Sequence, residues 1–188
     1  MGKGLDRGSA IAHVADHDCN LGIIRYPTAY EDYFLRYVES KDLLLQPIWE
    51  FSFHLVMAKN SPLASKEEIT AADLETLIEI THDDPEVPQI SPAEMQALRR
   101  RTPETREIVV YERQSQFELL CAMPETYMWA SPTPQSVMDT YPLTERRCDL
   151  PDNRYKDALI YRRGYHLTGG DCLFIEKVNK VVRELSER

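Results

Sequence analysis

Short apolar runs alternate with helix-patterned segments along most of this 188-residue chain, and that alternation constrains its fold more than any other feature. The runs are Leu21 to Arg25, Leu43 to Ile48, Phe51 to Ala58, Leu77 to Ile80, Glu107 to Tyr111, Thr126 to Ala130 and Ala158 to Tyr161. Each has the length and composition of a strand. The segments between them carry helix starts. Thr28-Ala29-Tyr30-Glu31 fits a capping box, in which Thr28 satisfies an early N–H and Glu31 reaches back. Tyr30, Tyr33, Phe34, Tyr37 and Val38 then recur at helical spacing, which predicts an amphipathic helix over 29–40. Ser91-Pro92-Ala93-Glu94 adds proline at the first helical position and opens a helix through about Arg100. Thr168-Gly169-Gly170-Asp171 opens a last helix, whose stripe of Phe174, Val178, Val181 and Leu185 is expected to dock on the body of the domain. Strands alternating with helices predict an α/β fold with largely parallel strands. The acid- and proline-rich stretch Asp83 to Ile90 reads as an exposed loop.

Composition narrows the function classes. The chain is 43% hydrophobic and 28% charged, as an ordinary globular protein is. No apolar run is long enough to span a bilayer, and Met1 to Gly8 lacks the apolar core of a signal peptide. These features read as a cytoplasmic protein with no membrane partner. A net charge of −9 opposes direct binding to the phosphate backbone of nucleic acid. The run Arg99-Arg100-Arg101 is a local exception. It follows a predicted helix, where cations complement the negative dipole end, and a nucleic-acid contact is its other reading. Cys19, Cys121, Cys148 and Cys172 show no Cys-x-x-Cys spacing, so neither a zinc knuckle nor a redox motif is indicated, and buried free thiols are expected.

Two local signatures carry a family resemblance. The apolar strand Leu55 to Ala58 runs into a sharp Asn60-Ser61-Pro62 turn and then a short capped helix, Ile69-Thr70-Ala71-Ala72-Asp73-Leu74. Upstream stands Asn20-Leu21-Gly22-Ile23-Ile24-Arg25. Together these resemble the effector-binding domain of the LysR-type transcriptional regulators. Ala10 to Ala15 look like the helix that precedes the family's Asp-Leu-Gly-Ile-like strand, with Asn20 standing where Asp is common. Trp49 to Ala64 look like its first crossover strand and His-Pro-Leu-like turn. Phe117 to Ser131 look like the segment usually written with a Gly-x-Gly turn, replaced here by Met123-Pro124-Glu125-Thr126. Tyr165 to Val182 look like its closing helix.

The resemblance implies a fold like that of type 2 periplasmic binding proteins: two α/β lobes joined by two crossover strands, with a ligand cleft between. By it, residues 1–55 and 161–188 form the first lobe and 56–160 the second. The family's winged helix-turn-helix, its linker helix and the first elements of its effector domain have no counterpart in the opening residues. The first lobe is therefore expected to be incomplete, and bared strand edges invite a homodimer. DNA would be held by the missing helix-turn-helix and not by this chain.

In open parallel sheets, ligands bind beyond the carboxyl ends of the strands, where helix N-termini favour anions. That rule selects Tyr26, Pro27 and Thr28 after the first strand, Thr81 and His82 after the fourth, and Glu112 and Ser115 after the fifth. It also selects Ser131, Pro132 and Thr133 after the sixth. Hydroxyls, an imidazole and helix amides, with Tyr26 and Trp129 as apolar walls, suit a small polar or carboxylated molecule. Each has a plainer role: Thr28 as a helix cap, Trp129 as core, Ser131 to Pro134 as a loop and helix start. His82 with Asp83 and Asp84 reads as a solvated loop rather than a metal site. No Gly-x-Ser-x-Gly elbow, phosphate loop or dinucleotide fingerprint is present, so no enzyme, catalytic residue or cofactor is expected. A stand-alone solute-binding protein and a ligand-free dimerisation module are the alternatives to an effector sensor.

Overall fold

The structure, a computed structural model, describes residues 7–82, 106–148 and 153–186. The predicted loop at Asp83 to Ile90, the helix opening at Ser91 and the basic run Arg99 to Arg101 lie outside the described residues. The chain divides into two compact units, Met1–Phe51 with Arg154–Arg188, and Ser52–Asn153. Residues 52–55 thus go with the second unit and 154–160 with the first, whereas the sequence reading put its joins at 55 and 161.

The first unit is built on a three-stranded sheet in the order β1-β8-β2. Strand β1 is Leu21–Pro27, β2 is Leu43–Phe51 and β8 is Tyr155–Arg162. Helix α1 (Arg7–Ala15) leads into β1, and α2 (Glu31–Ser40) joins β1 to β2. Along β1 the side chains alternate, with Ile24 and Tyr26 buried and Ile23 exposed, as the pleat requires. Gly22 has a steric cause: a Cβ there would stand 3.1 Å from both Val14 and Ile160. Only glycine lets α1 seat this closely on the sheet. The Arg162 guanidinium fixes the turn between α1 and β1 by donating to the Val14 carbonyl (2.9 Å), the Cys19 carbonyl (2.7 Å) and Asn20 Oδ1 (2.9 Å).

At the start of α2 the expected capping box does not form. Thr28–Tyr30 is a turn of 3-10 helix with Pro27 at its N-cap, and no side chain caps either helix. The Thr28 N–H and hydroxyl both go to the Arg154 carbonyl, at 3.0 and 3.3 Å. Glu31 pairs instead with Lys156, at 2.7 and 2.8 Å. A neighbouring strand end and a lysine on β8 have outcompeted the local cap, which no local pattern shows. The periodic helix itself is present, with Phe34 and Val38 buried.

The second unit is a five-stranded sheet in the order β5-β4-β6-β3-β7. Its strands are β3 (His54–Ala58), β4 (Ile78–His82), β5 (Arg106–Val110), β6 (Thr126–Ala130) and β7 (Leu143–Arg146). Its helices are α3 (Ala71–Leu74), α4 (Arg113–Ala122) and α5 (Gln135–Met138). Both faces are covered. Leu55, Met57 and Tyr127 pack with Leu63, Ile69, Leu74 and Leu77 on one side. Val56 and Met128 pack with Ile80, Leu120, Met138 and Leu143 on the other. Consecutive residues of β3 and β6 go to opposite faces, so a run apolar throughout is what a strand buried on both sides needs. The Asn153 side chain closes this unit where the chain enters and leaves it. Its amide donates to the Phe53 carbonyl at 2.8 Å and accepts from the Phe53 N–H at 3.1 Å.

The expectation of largely parallel strands is corrected. Only β4–β5 and β4–β6 are parallel; β1–β8, β2–β8, β3–β6 and β3–β7 are antiparallel. Strands β3 and β8 carry the chain out of and back into the first unit, and each enters its sheet against the direction of its neighbours. The last helix, α6 (Gly169–Ser186), forms where expected. Asp171 accepts the Thr168 N–H (2.8 Å) and hydroxyl (2.7 Å), and its own N–H reaches Thr168 Oγ1 at 3.3 Å. These bonds hold the Asp171 carboxyl below the usual range. Docking of α6 is shallow. Phe174, Ile175, Val178 and Asn179 line an open crevice over β1 and β2, but no residue of the helix is buried. Among the described residues no helix is long and apolar enough to cross a membrane.

Candidate functional site

Strands β4, β5 and β6 run in one direction, so their carboxyl ends share one rim of the second unit's sheet. That rim gathers the predicted residues of this unit from three stretches of chain. Thr81 and His82 end β4, with Thr81 buried. Glu112 is exposed at the N-cap of α4, and half-buried Ser115 lies in the first turn, its N–H bonded to the Glu112 carbonyl at 3.1 Å. No acidic residue lies in the first turn of α4 itself, so its dipole is left to favour an anion. Ser131, Pro132 and Thr133 follow β6, all half-buried. Thr133 Oγ1 donates to the Ser131 carbonyl at 3.1 Å and folds the loop on itself before α5.

Two residues at this rim were not singled out from the sequence. His54 opens β3 and Glu145 lies in β7, strands that run to and from the same rim. His54 Nδ1 stands 2.5 Å from Glu145 Oε1, and both side chains are largely shielded from water. Glu145 Oε2 accepts the Thr133 N–H at 3.3 Å. This chain of contacts fixes the Ser131–Thr133 loop from beneath. A four-residue strand with one apolar member gave no signal that Glu145 would be delivered here. Trp129 is partly buried against the core cluster and meets Tyr127 edge-on at 6.3 Å, so its plainer reading as core describes its position.

The predicted residues of the first unit sit differently. The Tyr26 ring is fully buried and stacks on Phe34 at 5.1 Å. Its hydroxyl has no hydrogen-bond partner among the described residues; burial, and then the Glu31 charge, push it up to about 12. Pro27 is buried, and Thr28 spends both its polar groups on Arg154. A second polar cluster was equally invisible in sequence. The Asp157 carboxylate accepts Arg25 Nε at 2.7 Å, Arg25 Nη2 at 2.8 Å and Trp49 Nε1 at 2.9 Å. The Arg25 guanidinium lies over the Phe51 ring, 4.7 Å from its centre. With its carboxylate fully engaged, this cluster is a clasp across β1, β8 and β2.

No family model and no curated protein matches the sequence. Solved structures do. The effector-binding domain of QuiR in complex with shikimate aligns over 95% of this chain and 79% of its own, with a TM-score of 0.63 and 15% identity. The regulatory domain of MetR, a LysR-family regulator from N. meningitidis, aligns over 93% of this chain and 75% of its own, with a TM-score of 0.62 and 13% identity. The Synechocystis PCC6803 CcmR regulatory domain in complex with 2-PG aligns over 94% and 79%, with a TM-score of 0.59 and 14% identity. At such identities the likeness speaks of the fold. The chain has the type 2 periplasmic-binding-protein-like fold of the effector-binding domains of LysR-family regulators.

Proposed function

We propose that this chain is the effector-sensing domain of a LysR-type transcriptional regulator, cytoplasmic and paired in use, and that it binds a small polar or carboxylated molecule. The observation that carries the reading is the rim of the second unit. Three parallel strands of one sheet end in a hydroxyl-bearing strand, a helix N-terminus and a Ser131-Pro132-Thr133 loop braced by Glu145. Such a set offers hydroxyls and amide N–H groups to an anion's oxygens. Two of the proteins that share its fold hold small molecules, shikimate in QuiR and 2-PG in CcmR. In the first unit Tyr26 and Pro27 are buried and Thr28 is engaged, so the proposal rests on Ser131, Thr133, Ser115 and Thr81 first. Effector binding would bias one arrangement of the domain over another and pass that bias to a DNA-binding region. With a net charge of −9, these residues are not themselves the DNA contact.

The test is a thermal-shift screen of the whole chain against small carboxylates, amino acids, aromatic acids and sugars. A ligand that binds the native state alone raises the melting temperature with its concentration. One class should do so, and Ser131→Ala should cut the affinity by roughly tenfold, the loss of one hydrogen bond to a charged group. A well-folded protein with no response to any class would reject the sensor in favour of a ligand-free dimerisation module.

A further inference from the structure

Helix α6 is eighteen residues long, about 27 Å, yet none of its residues is buried in its own chain. Its apolar residues Phe174, Val178, Val181 and Leu185 are spaced four, three and four apart, the interval of a helix that packs lengthwise on another. One flank of that stripe is occupied: Ile175 lines the crevice over the first unit's sheet, and Val182 is half-buried. The other flank is open to water, with Phe174 and Val181 each 45% exposed. Lys177 and Glu184 border that open side.

We propose that the protein forms a two-fold homodimer through this open flank, with α6 packed antiparallel against α6 of a second copy. The helix's own charges select the partner and the register. Setting Phe174 against Leu185 of the second copy, and Val178 against Val181 of the second copy, brings Lys177 beside Glu184 of the second copy. The two-fold axis makes that contact twice. Sliding the helices to the next register either way juxtaposes Lys177 with Lys177, or Glu184 with Glu184, and like charges reject it. Within its own helix Glu184 is only loosely held, 3.9 Å from Lys180 with both side chains well exposed, so it is available to the second copy. This inference deepens the paired state proposed above and names its surface.

Sedimentation equilibrium of the whole chain, without ligand, across the micromolar range is the experiment. Lys177→Glu or Glu184→Lys alone should weaken the dimer by about tenfold or more, because each sets two like charges together. The double exchange should return the affinity to within about threefold of the parent, a coupling that only contact between the two positions gives. Circular dichroism checks that each variant keeps its helix. A monomer at every concentration overturns the dimer. A dimer indifferent to the single exchanges overturns the α6 surface. Neither result touches effector binding, which the thermal-shift screen reads separately and which a monomeric variant can still show.

Discussion

Asp157 shows how much one side chain can hold. It is 8% exposed, and it accepts both prongs of the Arg25 fork and the Trp49 indole N–H. Asp157→Ala removes the acceptor from three donors at once, and hydrogen bonds to a charged group are the costly ones to lose. We expect a loss of about 2–3 kcal/mol in urea unfolding, with Asp157→Asn falling between it and the parent. Nothing at Arg25 or Trp49 announces this in sequence, because the partners are 132 and 108 residues away. The same holds for His54 and Glu145, separated by 91 residues. By contrast the residues named from strand ends were legible, since a strand's carboxyl end and a helix start are local features. The second unit places Ser131, Thr133 and Ser115 at one rim. For Thr28 the local pattern misleads, because the Arg154 carbonyl takes the hydroxyl that a cap would have used.

Elements were legible where a period or a cap spoke for them. α2 and α6 follow apolar periodicity, and the Thr168–Asp171 pairing seen from spacing is formed. Thr168→Ala should therefore cost about 1 kcal/mol, read as a lower urea midpoint and earlier fraying of the last helix in hydrogen exchange. β7 escaped notice because Leu143-Thr144-Glu145-Arg146 has a single apolar residue; pairing with β3 makes it a strand. Its Arg146 then donates to the Ala64 carbonyl (2.5 Å) and to those of Lys66 and Glu67, tying down the loop before α3. α4 went unread because Phe117, Leu119, Leu120 and Cys121 crowd together without a clean stripe. The shallow docking of α6 is the other miss: the stripe was visible, but periodicity says that a face is apolar and not what covers it.

For the molecule as a whole, the order of elements sufficed to anticipate the fold that the solved structures share, while strand direction did not follow from it. Direction depends on where the chain re-enters a sheet, a property of the path. Burial likewise divides the cysteines, which the sequence treats alike. Cys172 is exposed on α6, Cys19 and Cys121 are half-buried, and Cys148 is buried with its thiol donating to the Ile69 carbonyl at 3.2 Å. Burial pushes the Cys121 thiol up, which slows it further. Alkylation followed by mass spectrometry should therefore modify Cys172 first and Cys148 last, the latter only as the second unit opens. Equal rates at all four would contradict this packing.

The middle strand of the first sheet, β8, is also the last strand of the chain. During synthesis β1 and β2 leave the ribosome with the place between them empty, and about a hundred residues of the other unit must follow before β8 can fill it. The second unit, drawn from one continuous stretch, can close first. The nascent first unit waits with two unpaired strands, a long-range closure that slows folding. A chaperone or a slow decoding pause would matter most in that interval.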